Sequence, residues 1–108
     1  MKTYVFDIDG TICTKANDQN YDQSIPVMER VMIINRLFDA GNIIVLHTAR
    51  GMGRHKNNIS KAKKQFHKLT LKQLNTWGVK YHELFMGKPS GDFYIDDKGI
   101  SDEDFFGD

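Results

Sequence analysis

The stretch Phe6-Asp7-Ile8-Asp9-Gly10-Thr11 decides how the fold is interpreted, since it follows the apolar residues of the first predicted strand. Residues two apart on a strand share one face, so Asp7 and Asp9 point the same way and Ile8 the other. Two carboxylates at a strand end make a poor core and a good phosphate site. Gly10 permits a tight turn that a residue with a Cβ would resist. Taken alone, the pattern is also compatible with a simple turn or with part of a calcium loop.

Outward from this stretch, apolar periodicity predicts alternating strands and helices. The predicted strands are residues 2–8, 43–47, 81–86 and 93–95. The first helix has Pro26 in its first turn and ends at Gly41; the second begins near Asn58 and ends at Gly78. This order predicts an α/β protein with a Rossmann-like, three-layer fold and a mostly parallel central sheet. The tail, residues 101–108, is expected to be a short docking helix or frayed.

Length and composition limit the possible classes of protein. The 108 residues are enough for one domain, here residues 1–108, and for no second one. The apolar runs are far too short to span a bilayer, and the single cysteine, Cys13, suits a reducing cytoplasm. We therefore expect a cytoplasmic protein with no membrane contact, whose oligomeric state, including a homo-oligomer, the sequence leaves open.

The charge distribution is uneven although the net charge is only +1. Between Ala40 and His82 there are nine Lys or Arg residues and no Asp or Glu. This basic stretch is either a solvated helix face or a surface that attracts an anionic substrate.

The candidate chemical residues all follow predicted strands, where ligands bind in open parallel sheets. They are Asp7 and Asp9 after the first strand, Thr48 after the second, Lys88 after the third, and Asp96 with Asp97 after the fourth. Four carboxylates cannot share a small site fully ionised without a cation, and oxygen ligands suit Mg²⁺. His47 is interpreted as a packed strand residue rather than a ligand.

A metal, an ammonium group and a hydroxyl together match a phosphoryl group in its trigonal transition state. An Asp carboxylate is already ionised at neutral pH and is a competent nucleophile. A second Asp two residues later can protonate the leaving oxygen and then activate water. The residues therefore indicate phosphoryl transfer.

Four segments in this order resemble the motifs of the haloacid dehalogenase-like (HAD) phosphohydrolases. Asp7-Ile8-Asp9-Gly10-Thr11 resembles the first motif, His47-Thr48-Ala49-Arg50 the second, Gly87-Lys88-Pro89 the third and Tyr94-Ile95-Asp96-Asp97 the fourth. The resemblance spans residues 4–97. The family inserts a cap domain at one of two places, and neither is long enough in this chain, which therefore resembles the capless members. The final strand seen in many relatives is absent or reduced here.

The resemblance implies a role for each matching residue. Asp7 would be the nucleophile that forms an aspartyl-phosphate, and Asp9 the general acid and base, which lends the metal its backbone carbonyl. Thr48 would hold the phosphate and Lys88 would neutralise it. The remaining implied contacts are Mg²⁺ on Asp7, Asp9, Asp96 and Asp97, and phosphate on Gly10, Thr11 and Ala49.

Without a cap, the walls of the site must come from the loop at 14–24 and from the segment after Thr48. In that segment Arg50 and Arg54 are candidate substrate-binding residues, since an Arg fork suits a carboxylate or a second phosphate. Among capless members, the segments look most like the capsule and lipopolysaccharide biosynthesis phosphatases. That match implies a sugar or polyol phosphate as substrate.

Two alternatives remain open. The first is a nucleic-acid 3′-phosphatase, because an uncapped site admits a polymer end and the basic stretch could hold its backbone. The basic stretch lacks, however, the interleaved aromatic residues of a surface that binds single-stranded nucleic acid. The second is a phospho-receiver switch, which also uses an acidic pair, a Thr and a Lys on a parallel sheet; here the order of these residues along the chain is wrong for that class.

Overall fold

The protein was analysed as a computed structural model, which describes residues 1–16 and 20–108. The strands are β1 (Thr3–Asp7), β2 (Ile43–Thr48) and β3 (Glu83–Met86); the helices are α1 (Met28–Asp39), α2 (Ile59–Trp77) and α3 (Asp102–Phe106). A 3₁₀ turn covers Tyr21–Gln23. Part of the predicted loop wall, residues 17–19, lies outside the described residues.

The three strands form one parallel sheet in the order β1-β2-β3. In the register, Asp7 lies opposite His47, and Thr48 lies opposite Met86. The carboxyl ends of all three strands therefore meet at one edge. The α/β architecture with a parallel sheet is confirmed.

The core lies between the helices and one face of the sheet. Phe6 and Leu46 on the strands are buried, together with Val31 and Ile34 of α1 and Leu74 of α2. Burying each such side chain stabilises the fold by about 1.5–3 kcal/mol. The opposite face is more open, since Val5 is 56% and Phe85 54% exposed.

The helix ends follow local chemistry. The Asn58 side chain caps α2 by accepting a hydrogen bond from the Lys61 amide at 3.0 Å. Gly78 ends α2 with a φ of 71°, which favours glycine. At α1 the prediction was slightly wrong, because Pro26 precedes the helix and forms a β-bridge with Cys13. A residue without a backbone N–H is tolerated in such an edge position.

The tail forms a docking helix, α3, against β1. The rings of Phe105 and Phe106 lie 5.5 Å and 6.0 Å from the ring of Phe6, centroid to centroid. The guanidinium of Arg30 is paired with Asp102 and with Asp108, each at 2.7 Å. These contacts fix the tail beside the strand that carries Asp7.

The predicted fourth strand is wrong in the described structure, since residues 93–95 have no strand conformation. Phe93 is 85% and Ile95 is 97% exposed. A three-residue strand forms few ladder hydrogen bonds, which do not offset the entropy lost on ordering the segment. The aspartates that follow are consequently not at a strand end.

Within the described residues, no helix combines the length and apolarity needed to cross a bilayer.

Candidate active site

The end of β1 turns tightly and presents two aspartates. The carbonyl of Ile8 accepts hydrogen bonds from the amides of Thr11 and Ile12 at 3.1 and 2.8 Å. Gly10 has a φ of 80°, and a Cβ there would lie 2.9 Å from the Lys15 side chain. Gly10 and Thr11, the predicted phosphate contacts, thus form the turn directly after Asp9.

Asp7 lies beside Lys88 at the shared edge of the sheet. The Lys88 Nζ is 3.7 Å from the Asp7 carboxylate, and the Asp7 side chain is 36% exposed. Burial raises the pKa of Asp7 above its usual value, although the charge of Lys88 opposes that rise. The Asp7 carboxylate is therefore accessible, and the ammonium of Lys88 compensates its negative charge only in part.

Lys88 is itself positioned by its neighbours. Its Nζ lies 4.0 Å above the ring of Tyr94, a cation–π contact. The Tyr94 hydroxyl donates to the carbonyl of Pro89 at 2.6 Å, which folds the segment back on itself. Only 14% of the Lys88 side chain remains exposed, and its ammonium is directed at Asp7.

Thr48 connects the ends of β2 and β3. It is fully buried, and its Oγ1 accepts from the Arg50 amide at 3.1 Å. Its carbonyl accepts from the amides of Gly87 and Lys88 at 3.2 and 3.0 Å. Ala49, the other predicted phosphate contact of this strand end, accepts from the Met52 amide at 2.8 Å. Thr48 thus holds the segment that carries Lys88 against the end of β2, next to β1.

Arg50 does not occupy the place expected of a substrate-binding residue. Its side chain is fully buried, and its Nε and Nη2 both donate to the Asp9 carboxylate at 3.0 Å. Its Nη1 donates to Thr70 and Gln73 at 3.1 and 2.6 Å. Since these partners occupy the guanidinium, Arg50 holds Asp9 instead of facing a leaving group.

Arg54, the second predicted substrate-binding residue, is exposed. It lines a shallow cleft with Lys61 and Lys64, at the start of α2. The structure therefore separates the two arginines, one buried behind Asp9 and one at the surface.

Asp96 and Asp97 are exposed in the segment after β3. The Asp96 carboxylate accepts from the Lys98 amide at 2.9 Å, and this bond lowers the pKa of Asp96. Across residues 1–16 and 20–108, no three His, Cys, Asp or Glu side chains are grouped closely enough to hold a metal ion. The four predicted metal ligands are thus present as two separate pairs.

Several residues around the site were not singled out as functional from the sequence. Thr70 and Gln73 are polar residues three apart on α2, buried behind Arg50; their position within an apolar helix stripe is the signal that could have identified them. Tyr21 packs its ring 4.8 Å from the Arg50 guanidinium. Tyr94 gave no signal, since its contact with Lys88 depends on a loop conformation.

Two further residues agree with the sequence interpretation. His47 is partly buried in β2, and burial lowers its pKa, with the Lys88 charge adding to the effect. Cys13 is buried, and burial together with the charge of Asp9 raises the pKa of its thiol to about 12. A thiol that stays protonated is a packing residue, not a nucleophile.

Solved structures share this fold. A target protein from Vibrio cholerae is 28% identical, with a TM-score of 0.89 over 98% of this chain and 88% of that one. A Pnkp1/Rnl/Hen1 complex matches at 19% identity, with a TM-score of 0.61 over 88% of this chain and 30% of that one. The D,D-heptose 1,7-bisphosphate phosphatase of B. bronchiseptica, solved with magnesium and phosphate, matches at 21% identity, with a TM-score of 0.55 over 93% and 54%.

No family model and no curated protein matches the chain. The structural likenesses show that the chain shares the α/β fold of these proteins, and within the described residues no cap domain covers the edge where Asp7 lies.

Proposed function

We propose that this protein is a phosphomonoester hydrolase that works through an aspartyl-phosphate on Asp7. The observation that carries this proposal is the placement of Asp7 and Lys88, 3.7 Å apart, at the carboxyl edge of the sheet. Fold alone does not establish an activity, so the proposal rests on the site. The heptose bisphosphate phosphatase, which shares the fold, supports the same class of reaction.

In the first step an Asp7 oxygen attacks phosphorus and the ester P–O bond breaks. Asp9 gives a proton to the departing oxygen, and Lys88 balances the negative charge of the phosphoryl group. In the second step Asp9 accepts a proton from water, whose oxygen attacks phosphorus. The acyl-phosphate P–O bond then breaks, which releases inorganic phosphate and restores Asp7. The bidentate Arg50 contact orients Asp9 for both proton transfers.

Mg²⁺ fits the chemistry of the acidic residues, because Asp7 ends β1, Asp9 follows two residues later, and all candidate ligands are oxygen atoms. The residues that would hold it are Asp7, Asp9, Asp96 and Asp97. When bound, Mg²⁺ would neutralise part of the phosphate charge. Joining the two aspartate pairs requires the exposed segment at 91–98 to move towards β1.

We propose a sugar or polyol phosphate as the substrate, in surface polysaccharide biosynthesis. The Asp7 side chain is partly exposed at the edge of the sheet, and the motifs of the chain resemble those of the capsule and lipopolysaccharide phosphatases. A terminal phosphate of a nucleic acid is the second candidate. It is favoured by the uninterrupted basic charge between Ala40 and His82.

The experiment that tests the proposed function is the hydrolysis of p-nitrophenyl phosphate by wild-type protein and by Lys88→Ala. The variant should lose about 10²-fold or more in kcat/KM, because it removes a charge that stabilises the transition state. Lys98→Ala is the matched control, since Lys98 lies in the same segment and is exposed. Equal activity of Lys88→Ala and Lys98→Ala would contradict the assigned role.

A further inference from the structure

A cleft separate from Asp7 lies between the loop after β2 and the first turns of α2. It has a volume of about 420 Å³ and is lined by Arg54, His55, Lys61, Lys64 and Gln65. The His55 Nε2 and Gln65 Oε1 are 2.6 Å apart, which ties the loop wall to the helix wall. The Asn58 cap fixes the helix start, and with it Lys61, against the same loop. Specific hydrogen bonds therefore hold the two walls of the cleft together.

The charge of the cleft has one sign. Arg54, Lys61 and Lys64 are cationic, and no carboxylate of the described residues lines the cleft. In the described parts of the chain, the basic residues from 41 to 81 that form ion pairs are Arg50 and Lys80. Among residues 1–16 and 20–108, the three cleft cations therefore have no carboxylate partner, which creates a local positive potential that an anion would relieve.

The cleft adjoins the segment that carries Lys88. The Ser90 amide donates to the Asn57 side chain at 3.0 Å, so the cleft loop is bonded to that segment. A Cβ on Gly87 would lie 2.9 Å from Ile59, which shows how closely the start of α2 approaches the end of β3. A Cβ on Gly53, next to Arg54, would lie 3.5 Å from the Ser90 hydroxyl, so the cleft loop packs against the segment that carries Lys88.

We propose that this cleft binds a second phosphate of the substrate, while the phosphate to be removed lies at Asp7. This inference rests on the proposed function and adds the substrate class. Three cations suit the charge of a phosphate, and the Arg54 fork suits two of its oxygens. The second phosphate comes either from a bisphosphorylated small molecule or from the phosphodiester next to the terminal phosphate of an oligonucleotide.

The test is the double substitution Lys61→Glu with Lys64→Glu, compared with Lys63→Glu with Lys72→Glu. The control pair makes the same charge change at exposed positions of α2 that do not line the cleft. The substrates are fructose 1,6-bisphosphate against fructose 6-phosphate, and an oligonucleotide 3′-phosphate against a nucleoside 3′-monophosphate. For each pair of substrates the measured quantity is the ratio of their kcat/KM values.

The cleft variant should lower this ratio by about tenfold or more for at least one pair, whereas the control pair should change it less than twofold. Loss for the bisphosphate identifies a small-molecule source, and loss for the oligonucleotide identifies a phosphodiester. An unchanged ratio for both pairs, or an equal change in the control variant, would overturn the proposal.

Direct binding separates this inference from the proposed function. Calorimetry with fructose 1,6-bisphosphate, and fluorescence anisotropy with a labelled oligonucleotide 3′-phosphate, are carried out on Asp7→Asn protein, which needs no turnover. The cleft substitutions should weaken at least one of these ligands about tenfold relative to the control pair. Cleft-dependent binding, together with wild-type protein that hydrolyses none of these substrates, would refute the proposed function alone. Binding that ignores the cleft substitutions would refute this inference.

Discussion

Burial of Asp7 disfavours its charge, whereas the proposed reaction requires that charge. The positive charge of Lys88 offsets only part of this effect, since burial remains the largest influence on the pKa of Asp7. An acid whose pKa is raised in the folded state stabilises the fold below its usual pKa of 3.8 and loses this contribution as the pH rises through the folded value. At neutral pH, ionised Asp7 therefore lowers stability.

Asp7→Asn should accordingly abolish turnover and raise the melting temperature at pH 7. The increase should be small, on the order of 1–3 °C, because the side chain is partly exposed to solvent. It should shrink as the pH is lowered from 7 to 3, because wild-type Asp7 gains its proton on acidification. Thermal unfolding of both proteins across this range is the measurement, with the exposed Asp92→Asn as control. A melting temperature that falls at pH 7 would contradict the account of Asp7.

Arg50 holds Asp9 and is itself held by Thr70 and Gln73. Arg50→Lys keeps the charge but loses the fork, so Asp9 should become a poorer proton donor. Hydrolysis of an alkyl phosphate should fall by about 10–100-fold in kcat. Hydrolysis of p-nitrophenyl phosphate should fall much less, because nitrophenolate leaves without a proton.

The comparison of these two leaving groups distinguishes a positioning role from general damage to the fold. Arg36→Lys, an exposed change in α1, serves as the control. Equal losses on the two substrates would mean that Arg50 supports the structure without acting through Asp9.

Among the elements, the segment from Gly87 to Lys98 differs most from the surrounding structure. Its first part is anchored by Thr48 and Tyr94, while residues 91–100 are exposed throughout. Exposed apolar side chains such as Phe93 and Ile95 gain from burial, and β1 is an edge strand of the sheet. A segment of this kind can change its position when a ligand favours one arrangement.

We expect Mg²⁺ to shift this segment towards Asp7 and Asp9. Mg²⁺ should raise the melting temperature by a few degrees through mass action, and it should slow tryptic cleavage after Lys98. Asp96→Asn should remove most of both effects, while Asp92→Asn should preserve them. If Asp96→Asn retains the full thermal shift and protection, Asp96 is not a metal ligand.

Viewed as a whole molecule, the fold follows closely from the sequence where burial controls it. The three strands and α1 and α2 were predicted because their apolar residues recur at strand or helix spacing over several turns. Residues 93–95 misled the prediction, since a short apolar run does not reveal whether a partner strand is reached. Periodicity thus identified the core but could not establish the fourth strand.

The candidate site shows the same division. The sequence predicted that four residues following strands lie at one edge of the sheet: Asp7, Asp9, Thr48 and Lys88. The prediction was possible because parallel strands present their carboxyl ends together. The environment of Arg50 could not be predicted, since its partners Thr70 and Gln73 are distant in sequence and meet it only after α2 packs. Long-range polar contacts of this kind depend on tertiary geometry, which a residue pattern does not contain.

A phosphoryl group that passes through Asp7 forms an aspartyl-phosphate, and this intermediate can be trapped. Protein mixed with substrate is quenched in acid within the first turnovers, digested and analysed by mass spectrometry. We expect one added phosphoryl group on the peptide that contains Asp7, absent from Asp7→Asn and retained in Lys98→Ala. Active enzyme that carries no phosphoryl group at any quench time, or carries it on a different residue, would contradict the account.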